Sequence, residues 1–147
     1  MSLKERLMDD LKTSMKNKDR TRKNTVTMLR AAIKQREIDE KIELTDEDII
    51  EVIAKQVKQK RDSIEDFKKA DRQDLLDITV EEIDILSAYL PEQLTEEEID
   101  EIVKAAIDEV GANSSKDIGK VMGKLMPQVK GKADGGIVNR IVRQYLK

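Results

Sequence analysis

Tyr89-Leu90-Pro91-Glu92-Gln93-Leu94-Thr95-Glu96-Glu97-Glu98 reads as the end of one helix and the start of another. The ring of Pro91 crowds the residue before it and pushes Leu90 out of helical backbone. Four residues later, Thr95 and Glu98 stand at the spacing of a capping box, in which hydroxyl and carboxylate each accept from an exposed backbone N–H. The break predicts two parts, residues 1–92 and 93–147.

Outward from this break, apolar residues recur at helical spacing and no alternating, strand-like run is present, so the expected fold is all-α. Ser2 can cap a first helix with the stripe Leu3, Leu7, Leu11 and Met15, ending near Asn17. Asp19 can cap a second, with Val26, Leu29, Ile33 and Ile38 inward, and Thr45 with Asp48 opens a third lined by Ile49, Ile53, Val57, Ile64 and Phe67. Asp71 is the cap expected for a fourth, which carries Leu75, Leu76, Ile83, Leu86 and Tyr89. Beyond Pro91, a helix through Ile99, Ile102, Val103, Ala106, Ile107 and Val110 should stop at Gly111 in left-handed conformation. The next begins at Ser114 or Ser115, buries Ile118, Val121, Met122 and Leu125, and should close at Pro127. Asp134 can cap the last, with Ile137, Val138, Ile141, Val142, Tyr145 and Leu146. Two helical bundles are expected, about four helices before the break and three after it. A part of roughly 55 residues is near the lower limit for a self-sufficient core, so the second bundle should also lean on the first or on a partner.

The 147-residue chain contains no Cys, His or Trp. That removes disulfides, thiolate nucleophiles, the usual zinc sites and imidazole acid–base chemistry. Carboxylate, lysine and serine chemistry remain, but no catalytic residue, cofactor site or metal site stands out. Acids clustered at 46–48 and 96–98 sit in first helical turns, where they complement the helix dipole without any metal. The opening MSLKERLMDD lacks an apolar run, and no stretch reaches the ~20 apolar residues of a membrane span. A soluble cytoplasmic protein that does not enter membranes is the expectation.

Charge is strongly segregated. Residues 12–36 hold nine basic residues and one acid, a net +8; residues 37–110 hold nine against twenty-five, a net −16; residues 111–147 hold eight against two, a net +6. Basic faces can still grip phosphate in an acidic molecule, because screening limits repulsion to about 8–10 Å at physiological salt. Lys116, Lys120 and Lys124, spaced four apart, should share a helical face; Lys130 and Lys132 follow in the next turn, and Arg140 and Arg143 on the last helix. These seven are the candidate nucleic-acid-binding residues. An isolated stripe of lysines reads equally as a solvated face, and it is the near absence of acids across this segment that favours a polyanion.

Gly119 and Gly123 share a face, and the expected reason is a second helix packed against them, with close approach of a nucleic-acid strand as the alternative. The basic segment Lys16–Lys23, with Arg30, Lys34 and Arg36, is expected to pair mainly with the acidic middle, and otherwise to contact phosphate. Six Met residues suit irregular gaps between helices. With Phe67, Tyr89 and Tyr145 as the only aromatic residues there is no base-stacking platform.

The stretch Ile85 to Leu94, the pair Gly111-Ala112, Lys116-Asp117-Ile118-Gly119-Lys120-Val121-Met122 and Lys130-Gly131-Lys132-Ala133-Asp134-Gly135-Gly136 resemble the YqeY-like family, as do Arg61 to Phe67 and Arg72 to Leu75. The likeness covers essentially the whole chain. Its C-terminal part is similar to the tail domain of GatB, the B subunit of glutamyl/aspartyl-tRNA amidotransferase, through Val121-Met122-Gly123, Gly131 to Gly135 and Val138. The resemblance implies a two-part helical fold and kinship with a glutamine-dependent carbon–nitrogen ligase whose tail engages tRNA. It implies no catalysis, since the kinase-like and amidase parts have no counterpart here, and Lys116, Lys120 and Lys124 are this chain's own feature. A non-catalytic module for tRNA or other structured RNA is therefore expected. The alternative is an adaptor whose C-terminal bundle docks on a translation-related protein.

Overall fold

A computed structural model describes all 147 residues, Met1–Lys147. The chain is all-helical: α1 Leu3–Lys16, α2 Arg20–Glu40, α3 Asp46–Lys69, α4 Gln73–Ser87, α5 Glu96–Val110, a 3₁₀ turn Ser115–Asp117, α6 Ile118–Val129 and α7 Gly135–Tyr145. They form two compact units, Met1–Leu90 and Pro91–Lys147.

Ser2, Thr45 and Thr95 each form a full capping box, with Glu5, Asp48 and Glu98 reaching back to the cap N–H. In the first unit α1 packs on α2 and α3 on α4, and α2 also meets both α3 and α4. Leu7, Val26, Leu29, Ile49, Ile53 and Leu86 are all but sealed from solvent at its centre. The second unit is a triangle of α5, α6 and α7 around Ile99, Val103, Val121, Leu125, Val138 and Val142.

Several inward assignments shift. Met15 is 56% exposed and Ser14 is buried in its place, its hydroxyl donating to the Leu11 carbonyl. Thr25 is buried in the same way, with its hydroxyl on the Thr21 carbonyl; a short side chain that back-bonds to its own helix enters a core without an orphaned polar group. Ile38 is exposed in the last turn of α2, which at 21 residues is longer than the 14-residue α1 that packs on it.

Asp71 does not cap α4. It has φ of 54° and ends α3 in left-handed conformation, with the Arg72 N–H donating to the Phe67 carbonyl, as in a Schellman motif. Arg72 takes the cap position without a cap hydrogen bond, and its guanidinium holds Asp74 at 2.9 Å. That pairing draws the Asp74 carboxyl down to about 2. Lys18, Lys41 and Gly111 close α1, α2 and α5 with the same left-handed turn. Nor does α6 close at Pro127: it runs on to Val129, which is 1% exposed. Burial of that side chain holds a last turn that lacks the Pro127 hydrogen bond.

Tyr89 ties the end of α4 to α1. Its ring is buried, its hydroxyl donates to the Asp10 carboxylate, and the Arg6 guanidinium lies 4.7 Å from the ring centroid while donating to the Ala88 carbonyl. Burial and the neighbouring Asp10 push the phenol upward. Tyr89→Phe removes a hydrogen bond to a charged group and should cost about 1.5–3 kcal/mol; Tyr89→Ala should cost about 3–5 kcal/mol through the lost ring. Urea melts of the full chain read both, and equal losses would show that the ring contributes nothing.

Glu37 supplies a second lock, accepting from Lys4 and from the Leu44 N–H. Those two donors, led by Lys4, hold its carboxyl below the usual range. A carboxyl lowered by folding stabilises above its unfolded value, and the gain is lost as pH falls through its folded one. The Tm gap between wild type and Glu37→Gln should therefore be constant near neutrality and shrink below about pH 4.5. A gap that widens in acid would reverse the assignment.

Candidate nucleic-acid interface

The sequence of the second unit dictates where its charges lie. Leu125 and Val129 must face the core, which turns Lys120, Gly123, Lys124 and Gln128 outward. Lys116 is displaced from the expected register: it sits in the 3₁₀ turn, where Asp117 accepts from the Asn113 N–H and the chain has not yet reached α-helical pitch. Lys120 and Lys124 are one above the other on α6, and Lys116 precedes them in the turn.

The turn that carries Lys130 and Lys132 is held by the segment after Pro91. The Leu94 N–H donates to the Lys132 carbonyl at 2.8 Å, and the Gln93 amide donates to the Gly131 and Pro91 carbonyls at 2.7 and 2.8 Å. Gly131, with φ of 75°, supplies the reversal that leaves both carbonyls pointing outward to those donors. Asp134 then caps α7 through the Gly136 N–H at 2.8 Å. Its carboxylate occupies that helix N-terminus.

All seven candidate cations are exposed, and their partners divide them. Lys124 is held by Glu109 at 2.8 Å and Arg140 by Glu96 at 2.8 Å, both carboxylates on α5. Arg143 donates to Asn139 at 2.6 Å. Lys116, Lys120 and Lys132 lie within ion-pair distance of no carboxylate. Exposed pairs such as Lys124–Glu109 are worth about 0–1 kcal/mol, so they exchange readily for a phosphate.

The glycines overturn the expectation of a packed helix. A Cβ at Gly119 or Gly123 would meet nothing within 4 Å. No side chain or helix of this unit rests there, and bare backbone faces solvent on the side of α6 that carries Lys120 and Lys124. The N-terminal basic segment likewise pairs less than expected: Arg22 holds Asp19, Arg36 holds Glu40 and Glu51, and the other cations from Lys16 to Lys34 form no ion pair, although Lys34 lies near enough to Glu37 to attract it. Charge segregation along the chain marked that segment; its lack of partners needed the fold. No three acidic side chains converge to hold a metal ion, and no helix is long and apolar enough to cross a membrane.

A family model described as Yqey-like protein matches residues 4–146. The chain is 36% identical over 146 residues to altered inheritance of mitochondria protein 41, mitochondrial, of Pyrenophora tritici-repentis, over 96% of this chain and 79% of that one. The protein of the same name from Saccharomyces cerevisiae strain YJM789 is 31% identical over 95% of this chain and 80% of its own length. The chain is also 40% identical over 70 residues to a glutamyl-tRNA(Gln) amidotransferase subunit of Saccharolobus solfataricus, which is 46% of this chain and 11% of that protein. The likeness to a tRNA amidotransferase thus holds over part of the chain. The expectation of a cytoplasmic protein is not upheld, because the fungal relatives are named as mitochondrial. A charged opening stretch does not decide the compartment, because mitochondrial addresses are themselves basic and amphipathic.

Because the space over Gly123 is open, Gly123→Ala should stabilise the second unit by about 0.5–1 kcal/mol, through lower backbone entropy in the unfolded chain. A urea melt measures it. A loss of stability would mean that the backbone at Gly123 relieves the ring of Pro127, four residues on.

Proposed function

The chain belongs to the Yqey-like protein family, and from that premise we propose that its second unit is a non-catalytic module that binds tRNA or a similarly structured RNA. The observation that carries the reading is the open face of α6, where Gly119 and Gly123 have no neighbour and lysines stand beside them. Glycine inside a helix costs stability, and here no internal contact offsets it. A ligand that approaches the backbone closely and carries negative charge accounts for both features. The partial likeness to a glutamyl-tRNA(Gln) amidotransferase subunit supports tRNA as that ligand.

In this reading Lys116, Lys120 and Lys132 offer ammonium groups without carboxylates to displace, while Lys124, Lys130, Arg140 and Arg143 extend the contact at the edges. Recognition is by phosphate position and shape, because no aromatic side chain is available for stacking on α6 or the 130–134 turn. Such a module needs no catalytic group of its own; it delivers or positions RNA for another protein.

Binding of bulk tRNA across a salt series tests this. Lys116→Gln, Lys120→Gln and Lys124→Gln together should weaken binding and flatten the slope of log affinity against log salt by about 0.7–0.9 for every phosphate no longer neutralised, with helicity unchanged. Gln is chosen over Glu because a carboxylate at 124 would face Glu109. Gly123→Ala should weaken binding too, while stabilising the fold. Unchanged tRNA binding in the triple variant would overturn the α6 reading, and a wild type that binds no tRNA would favour a protein-docking adaptor.

A further inference from the structure

We infer that the first unit carries a second RNA-phosphate surface, on the outer face of α2, centred on Arg20, Lys23, Arg30 and Lys34. The inference rests on the reading that this protein binds structured RNA. Arg20, Lys23, Thr27, Arg30 and Lys34 follow one another at steps of three and four residues, which places them on a single helical face. None of the four cations is within ion-pair distance of a carboxylate. The nearest acids in sequence are already engaged: Asp19 caps α2 and holds Arg22, and Glu37 is bonded to Lys4 and attracts Lys34 only at longer range.

Local stability gives no reason for the arrangement. The first turn of α2 contains no acid and begins with Arg20, Arg22 and Lys23, where positive charge opposes the helix dipole. By contrast, α3 and α5 each open with three acids in a row. Arg20 and Lys23, placed against the dipole and without an ion pair in a chain with 31 acidic residues, point to a counter-charge from outside the molecule.

The form of that counter-charge follows from dimensions. The stripe runs about 21 Å from residue 20 to residue 34 at 1.5 Å per residue. This exceeds the screening length of about 8 Å, so no single small anion neutralises it and an extended polyanion does. A lipid surface fits poorly, because the apolar line of α2, Val26, Leu29 and Ile33, is buried in the bundle and only Met28 and Ile38, ten residues apart, remain exposed, too little for an inserting apolar face. An open groove of about 490 Å³ beside the stripe, floored by Leu7 and Ile33, edged by Thr27, Arg30 and Lys34 and also lined by the Lys4–Glu37 pair, leaves room for a sugar–phosphate strand to settle against the helix.

The test uses the full chain and bulk tRNA over a salt series. Arg20→Gln, Lys23→Gln, Arg30→Gln and Lys34→Gln combined should weaken binding at least about tenfold at low salt and reduce the salt slope by roughly 0.7–0.9 for each phosphate that loses its cation. Lys55→Gln with Lys58→Gln, an exposed pair on α3, should change little. If the four-residue variant loses stability, the pairs Arg20→Gln/Lys23→Gln and Arg30→Gln/Lys34→Gln make the same comparison. Wild-type affinity in the α2 variant, with loss in the α6 lysine variant, overturns this inference and leaves the proposed function standing. The converse result supports the inference and overturns the α6 reading. A loss in the Lys55/Lys58 control as large as that in the α2 variant overturns the inference by reducing it to net charge. Absence of tRNA binding by the wild type, with or without binding to phosphatidylserine vesicles, overturns both readings.

Discussion

Pro91 has neither the N–H nor the freedom to continue a helix, and the arrangement around it depends on that restriction. The residues on its two sides serve different cores. Tyr89 turns back to Asp10 and Arg6 and closes the first bundle at its α1 edge. Gln93 and Leu94 reach across to the carbonyls of Gly131 and Lys132 and fix the turn between α6 and α7. A segment that reads in sequence as a plain helix break is therefore also the place where each bundle is fastened. Extending the helix through position 91 would withdraw donors from one bundle and misplace the phenol of the other.

Electrostatics divides the molecule along different lines. Its acids are largely occupied with structure: they open α3 and α5, complete capping boxes and hold inter-helix pairs such as Lys60–Glu82. Its cations are used less. Where an acid and a base meet on the surface of the second unit, α5 contributes the acid, and the ends of that helix take Arg140 and Lys124. Cations without an ion pair gather on one side of α2 and the open side of α6, and others, such as Lys12, Lys55, Arg61 and Lys69, are scattered on α1 and α3. Neither face is apolar, so neither is explained by packing that has yet to be found.

The helices and their starts were legible because capping chemistry is local: Ser2, Asp19, Thr45, Thr95 and Asp134 each announce a helix within three residues of themselves, and each caps one. Helix ends were legible where glycine or, as at Asn17, a polar break marks them. Gly111 could be read, whereas Lys18, Lys41 and Asp71 adopt the same left-handed turn without any residue-type signal, held there by the packing of the helices on either side. Met15 and Ile38 obey helical periodicity and still face water, since periodicity cannot say how far a neighbouring helix extends. At the candidate face the residue types were readable and the partners were not. That Glu109 and Glu96 take Lys124 and Arg140, or that nothing covers Gly119 and Gly123, depends on how α5 lies against α6 and α7.

The bond from Tyr89 to Asp10 spans 79 positions. On a ribosome, where chains emerge from the N-terminus and domains fold as units, the α1–α2 and α3–α4 hairpins can form from neighbouring sequence as soon as each is made. Their final clasp has to wait for residue 89. While residues 41–87 are being made, only the α1–α2 hairpin is complete, with the basic side of α2 already displayed, and the α3–α4 hairpin and the Tyr89 clasp arrive almost together as the chain reaches Pro91.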